Sequence, residues 1–129
     1  MNQGLENAKK VAYVEYDFAV DGGAVGTINL RGANIPKGAL ITQGMIHVIT
    51  AFTSGGAPTF ALSVMAAEDV LAETLKGALT LDLLVDTVPV GTAATSILVT
   101  SNKPVVVTIG VAAITAGKLL VALEYFITE

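Results

Sequence analysis

One histidine, His47, and eleven Asp and Glu residues are the side chains with which this chain could do acid–base or metal chemistry, and it contains no cysteine. A metal-dependent jelly roll needs two or three His and a carboxylate converging on one ion, which a single His cannot supply. As a general base, His47 would need an oriented nucleophile or acid within hydrogen-bond reach, and the sequence implies none beside it. A structural histidine inside or beside a sheet is the simpler reading. Asp82 and Asp86, in "LDLLVD", fall on one face whether that segment is a strand or a helical turn. With Asp17 or Asp21 they could offer a hard cation oxygen ligands. Solvated edge charges that discourage sheet-to-sheet pairing explain the same residues more simply. Glu15, Asp17 and Glu124 become a carboxylate pair for glycoside cleavage only if the first and last strands are neighbours. With Trp absent and aromatics at 5%, there is no evident platform for a sugar ring. The glycines match neither the phosphate-cradling G-x-x-x-x-G-K-[ST] pattern nor a strand, G-x-G-x-x-G and helix unit. No enzyme and no cofactor are expected.

The elements that would position these residues are strands. "VAYVEYDFAV" alternates with period two, setting Ala12, Val14, Tyr16, Phe18 and Val20 against Tyr13, Glu15, Asp17 and Ala19. Asp21, Gly22 and Gly23 tolerate positive φ, and "AVGTINL" then reads as the returning strand of a hairpin over residues 13–30. Pro36 and Gly38 set a turn before "ALITQGMIHVITAF". Both faces of that run are mixed, which predicts a strand covered on both sides. "TSGGAP" is a second turn, followed by the strand "TFALSVMA". The segment "AEDVLAETLKGAL", residues 67–79, has acids at its start and Gly77 near its end, which predicts a short helix or a loop with a turn or two of helix. Four further apolar runs bounded by Gly, Pro, Asn or Ser follow. About eight short strands with one helical insertion predict an all-β, antiparallel, jelly-roll-like sandwich or barrel.

At 129 residues the chain has the length of one domain, here residues 11–129 preceded by a flexible arm, residues 1–10. Hydrophobic residues make up 53% and charged residues only 14%, with a mean hydropathy of +0.69. This is more apolar surface than one small core needs. The most apolar run is broken by Lys118 and Glu124, too early for a membrane-spanning helix of roughly 20 residues. The polar "MNQGLENAKK" does not read as a signal peptide. A net charge of −4, with seven basic residues scattered along the chain, argues against nucleic-acid binding. A partner subunit is left to take the surplus, so a soluble oligomer made in the cytoplasm is expected.

The residues "YDFAVDGGAVGTINLRGANIPKGALIT", with "TSGGA" and the closing "ITAGKLLVALEYF", resemble a group of small bacteriophage virion proteins encoded beside head genes. The likeness covers most of the chain and is weakest over residues 67–104. It implies a non-enzymatic head decoration, or capsid cement, protein: a homotrimer seated on the outer capsid surface where major capsid proteins meet. A head-fibre or tail component is also compatible with it. The arm, through Gln3, Leu5, Lys9 and Lys10, is expected to contact the capsid or a neighbouring subunit. A carbohydrate-binding or small-ligand-binding β-sandwich module is the competing expectation.

Overall fold

The chain alternates between two antiparallel sheets, and its longest strands form the spine of the larger one. The structure is a computed structural model that describes residues 9–128. The strands are β1 (Lys10–Asp17), β2 (Gly26–Asn29), β3 (Arg31–Gly32), β4 (Ala39–Thr53), β5 (Thr59–Ser63), β6 (Leu71–Leu75), β7 (Leu84–Val90), β8 (Ile97–Leu98), β9 (Val106–Gly110) and β10 (Ala116–Ile127). The six-stranded sheet has the order β3-β1-β10-β4-β7, with β8 also pairing β4, and the four-stranded sheet runs β2-β9-β5-β6. This is a jelly-roll-like all-β sandwich, as the strand rhythm predicts, although two short strands bring the count to ten among the described residues.

Alternation decides what lies inside. Ala12, Val14 and Tyr16 of β1 point inward with Leu119, Val121 and Leu123 of β10 and Ile46 and Val48 of β4. They meet Phe60 and Leu62 of β5 and Val107 and Ile109 of β9, and all of these belong to one hydrophobic cluster. At its centre the Tyr16 ring stacks on Phe52 at 5.7 Å and meets the edge of Phe60 at 5.6 Å. Fully burying a side chain of this size contributes roughly 1.5–3 kcal/mol, so this trio is a principal tie between the sheets.

The predicted hairpin over residues 13–30 does not form. β1 pairs with β10 along its whole length, whereas β2 pairs with β9 in the opposite sheet. Between them Phe18–Asp21 makes one helical turn, α1, capped by Asp17, whose carboxylate accepts from the Ala19 N–H. The segment is a crossover between sheets, and Val20 is exposed where a continued strand would have buried it. Gly22 does need its positive φ of 77°. Gly23 needs to be small because a Cβ there would collide with the Ile114 carbonyl.

Residues 67–79 correct a second expectation. Glu68 has a φ of 60°, which interrupts helix at its first turn. The Asp69 carboxylate reaches backwards to accept from the N–H groups of Val64, Met65 and Ala66, so it caps the preceding turn. Leu71–Leu75 becomes an edge strand on β5, and the helical insertion shrinks to the 3-10 turn Lys76–Ala78. Burial of Val70 and Leu71 in the core outweighs a modest helix propensity.

β4 corrects a third. An extra residue at Thr42, seen as a register shift between Glu124 and Tyr125 of β10, changes which parity faces inward. Ala39 and Ile41 are buried before it, and Ile46 and Val48 after it. A bulge therefore mixes the two faces, and nothing within the described chain covers the outer one.

Gly117, at a φ of 150°, passes so close to Phe52 that a Cβ would lie 2.7 Å from the ring. Gly117→Ala should therefore lower stability by about 2–4 kcal/mol in a denaturant melt. Gly55→Ala, where a Cβ would meet nothing within 4 Å, should change it by less than about 0.5 kcal/mol.

Candidate functional site

The outer face of the six-stranded sheet gathers most of the residues singled out in the sequence. Strand pairing places them in rows across β1, β10, β4 and β7. Glu15 lies beside Leu120, His47 and Leu84; Tyr13 beside Ala122, Met45 and Asp86; Val11 beside Glu124, Gln43 and Val90. Side chains on a strand alternate between faces, so these positions all point away from the core. The rows enclose an open groove of about 490 Å³ whose walls include Val11, Tyr13, Met45, Pro89 and Val90. Of its polar groups, Gln43 donates to the Glu124 carboxylate and the Thr87 hydroxyl to the Pro89 carbonyl, which leaves Asp86 and the Tyr13 hydroxyl.

The charged residues form a lattice at one end of this face. Arg31 on β3 donates through Nε to Asp21 Oδ1 at 2.9 Å and lies 3.3 Å from Glu15 Oε2. Lys118 holds Glu15 at 3.2 Å and Asp17 at 4.0 Å. The second Asp21 oxygen accepts from the Asp17 N–H at 2.8 Å. These contacts fix the crossover: Asp21 is held from both sides while the Tyr16 hydroxyl beneath it donates to the Gly22 carbonyl at 2.6 Å. Burial, then the nearby Asp21 and Asp17 charges, push the Tyr16 pKa up to about 12. Hydrogen bonding to Asp21 holds the Arg31 guanidinium firmly charged.

His47 Nε2 lies 3.6 Å from Asp82 Oδ1 on this same face, with both side chains largely in solvent. Asp82 sits in a turn at a φ of 61°, and Asp86 lies two rows away from Asp17, across β10 and β4. Among the described residues no three His, Asp or Glu side chains are grouped to hold a metal ion. β1 and β10 are neighbours, as a carboxylate pair would need. Yet Glu15 pairs with Leu120 while Glu124 lies four residues further along β10, roughly 13 Å away at strand rise. That exceeds the separation that either glycosidase geometry uses. Glu15 and Asp17 instead share Lys118. Of the expected contact residues, Lys9 lies 3.7 Å from Glu124 and Lys10 is the first residue of β1; Gln3 and Leu5 lie outside the described residues.

The sequence reading missed Arg31 and Lys118 as the partners that organise the acids, because their registers depend on which strands pair. It also passed over Tyr13 and Met45. Their signal was present: each is a large apolar residue at a position where the alternation calls for a polar one.

No protein-family model matches the chain, and no curated protein matches it in sequence. Solved structures do match it in fold. A chain of the cyanophage Pam1 capsid asymmetric unit is 18% identical with a TM-score of 0.67, over 98% of this chain and 90% of that one. The capsid of Ralstonia phage GP4 contains a match at 17% identity and a TM-score of 0.62, covering 93% and 86%. The acid-stable capsid of Helicobacter pylori bacteriophage KHP30 contains one at 20% and 0.55, covering 96% and 91%. The likeness extends over nearly the whole sandwich in each case.

Raising the Tyr16 pKa from 10.0 to about 12 means that the folded state holds its proton longer than the unfolded chain. The stabilisation is complete below pH 10 and is lost as pH rises towards about 12. Tyr16→Phe should cost about 1–2 kcal/mol at neutral pH, from the orphaned Gly22 carbonyl. Denaturant melts across that alkaline window should also show a shallower loss for the variant than for the wild type.

Proposed function

We propose that this chain is a non-enzymatic structural protein of a bacteriophage capsid, which sits on the outside of the shell as a trimer and stabilises it. The carrying observation is the near full-length likeness of its fold to chains in three phage capsids. The outer sheet face supports the same reading, since Tyr13, Met45, Leu84 and Val90 are apolar and solvent-facing while Glu15 and Asp17 are paired with Arg31 and Lys118. A groove built this way suits protein contact better than the recognition of a sugar or a small polar molecule.

A subunit that bridges several neighbours stabilises a shell because its contacts exist only in the assembled state. Each bound copy then shifts the equilibrium away from dissociated or ruptured particles. Contacts made by one trimer to several capsid proteins act together at high effective concentration, so weak individual contacts suffice. The partner in this reading is the major capsid protein. The arm expected over residues 1–10 is cut back at its end, because Lys10 already belongs to β1. The residues ahead of it serve as a strap to a neighbouring subunit, with Lys9 beside Glu124 marking where it leaves the sandwich.

Capsids assembled without this chain should bind the purified protein saturably in co-sedimentation and should then rupture at a higher temperature. A chain lacking residues 1–8 should bind at least about tenfold more weakly. Absence of saturable binding to capsids, with binding to tails or to a glycan array instead, would overturn the proposal.

A further inference from the structure

We propose that copies of this chain join through the outer face of the six-stranded sheet, with the β4–β7 half of one copy seated on the β1–β10 half of the next. This rests on the oligomeric reading above and assigns it a surface. The two outer faces of the sandwich differ in kind. The four-stranded sheet turns mainly Thr27, Thr59, Ser63 and Thr108 outward, with Leu75 on its edge strand β6 as the one large exposed apolar residue of its strands. On the six-stranded sheet Tyr13 is 58% exposed, Leu84 62%, Val90 56%, Met45 45% and Val11 42%. These five leave on the order of 500 Å² of side chain in water, at the upper end of what a monomer tolerates in one patch. Each copy presents half of this patch to each neighbour, so these side chains supply the apolar core of each joint and the groups around them make up the rest of the about 800 Å² per partner that a standard interface covers.

The arrangement within the patch selects a second copy as the occupant. Tyr13, Ala122, Met45 and Asp86 form a single row across four strands. One end of that row is a phenol hydroxyl donor and the other is a carboxylate acceptor. Neither makes a side-chain hydrogen bond or ion pair among the described residues. Between them stand a small residue, Ala122, and a long flexible one, Met45. Rotating a copy about an axis parallel to the strands brings the Asp86 end of one row to the Tyr13 end of the next. Met45 then lies over Ala122, and Val90 meets Val11 one row away. The two halves are different surfaces, so the contact is heterologous, and a threefold rotation between copies is what closes it into a trimer.

Sedimentation equilibrium on the full chain tests this, with melts to confirm that each variant is folded. The wild type should associate at micromolar concentration, and Met45→Glu should raise the dissociation constant by at least about 100-fold. Thr108→Glu, on the other sheet, should leave it unchanged. Tyr13→Glu should dissociate the assembly, and adding Asp86→Lys to it should restore association to within about tenfold, which only a Tyr13 to Asp86 contact between copies predicts. A wild type that stays monomeric at about 100 µM overturns the inference. If such a monomer still binds capsids, the capsid reading survives and the face belongs to the shell. Association that survives Met45→Glu but is lost in Thr108→Glu also overturns the inference, because the joint would then lie on the other sheet.

Discussion

Tyr16 is where the chain leaves one sheet for the other, and the rest of the sandwich is built around holding it. Its ring lies between Phe52 of the large sheet and Phe60 of the small one, and its hydroxyl ends on the Gly22 carbonyl. A buried phenol without a partner would cost the desolvation of its hydroxyl. The turn that supplies that carbonyl must therefore be fixed, and Asp21 fixes it through Arg31 and the Asp17 N–H. The pairs that Glu15 makes with Arg31 and Lys118 are partly exposed and contribute little stability by themselves, whereas the Asp21 carboxylate is nearly buried and depends on Arg31 and the Asp17 N–H. The role of these contacts is positional: they hold in place the acceptor that the buried ring needs.

Much of this was legible from alternation alone. The inward set of β1, the turns at Pro36 to Gly38 and at Gly55 to Gly56, and the strand character of the closing segment follow from residue types at period two. What was not legible depended on partners distant in sequence. Asp-Gly-Gly between two alternating runs is a strong hairpin signal, yet β1 finds its partner in β10, at the other end of the chain. Glu68 and Asp69 look like the opening acids of a helix, but one adopts a left-handed conformation and the other caps the turn behind it. The mixed faces of β4 have two causes that composition cannot separate, a bulge at Thr42 and an apolar outer face.

The candidate site was partly visible in the same way. His47, Asp82, Asp86, Glu15 and Glu124 all come to the outer sheet face, so the residues with chemical potential were found, but they do not converge. Rows of paired strands spread them, and Arg31, Lys118, Gln43 and Lys9 take up several of their charges or lone pairs. The surplus of apolar residues that set this sequence apart lies partly on that same surface. A chain that is 53% hydrophobic fills its core and still has Tyr13, Met45 and Leu84 left for solvent or for a neighbour.

The proposed function in assembly rests on that remainder more than on any single side chain, and it can be tested in place. A cryo-EM map of the particle in which this chain is made should show the sandwich as trimers on the outside of the shell, where major capsid proteins meet. A map in which the shell lacks this density, or in which the chain lies in the tail, would contradict the account.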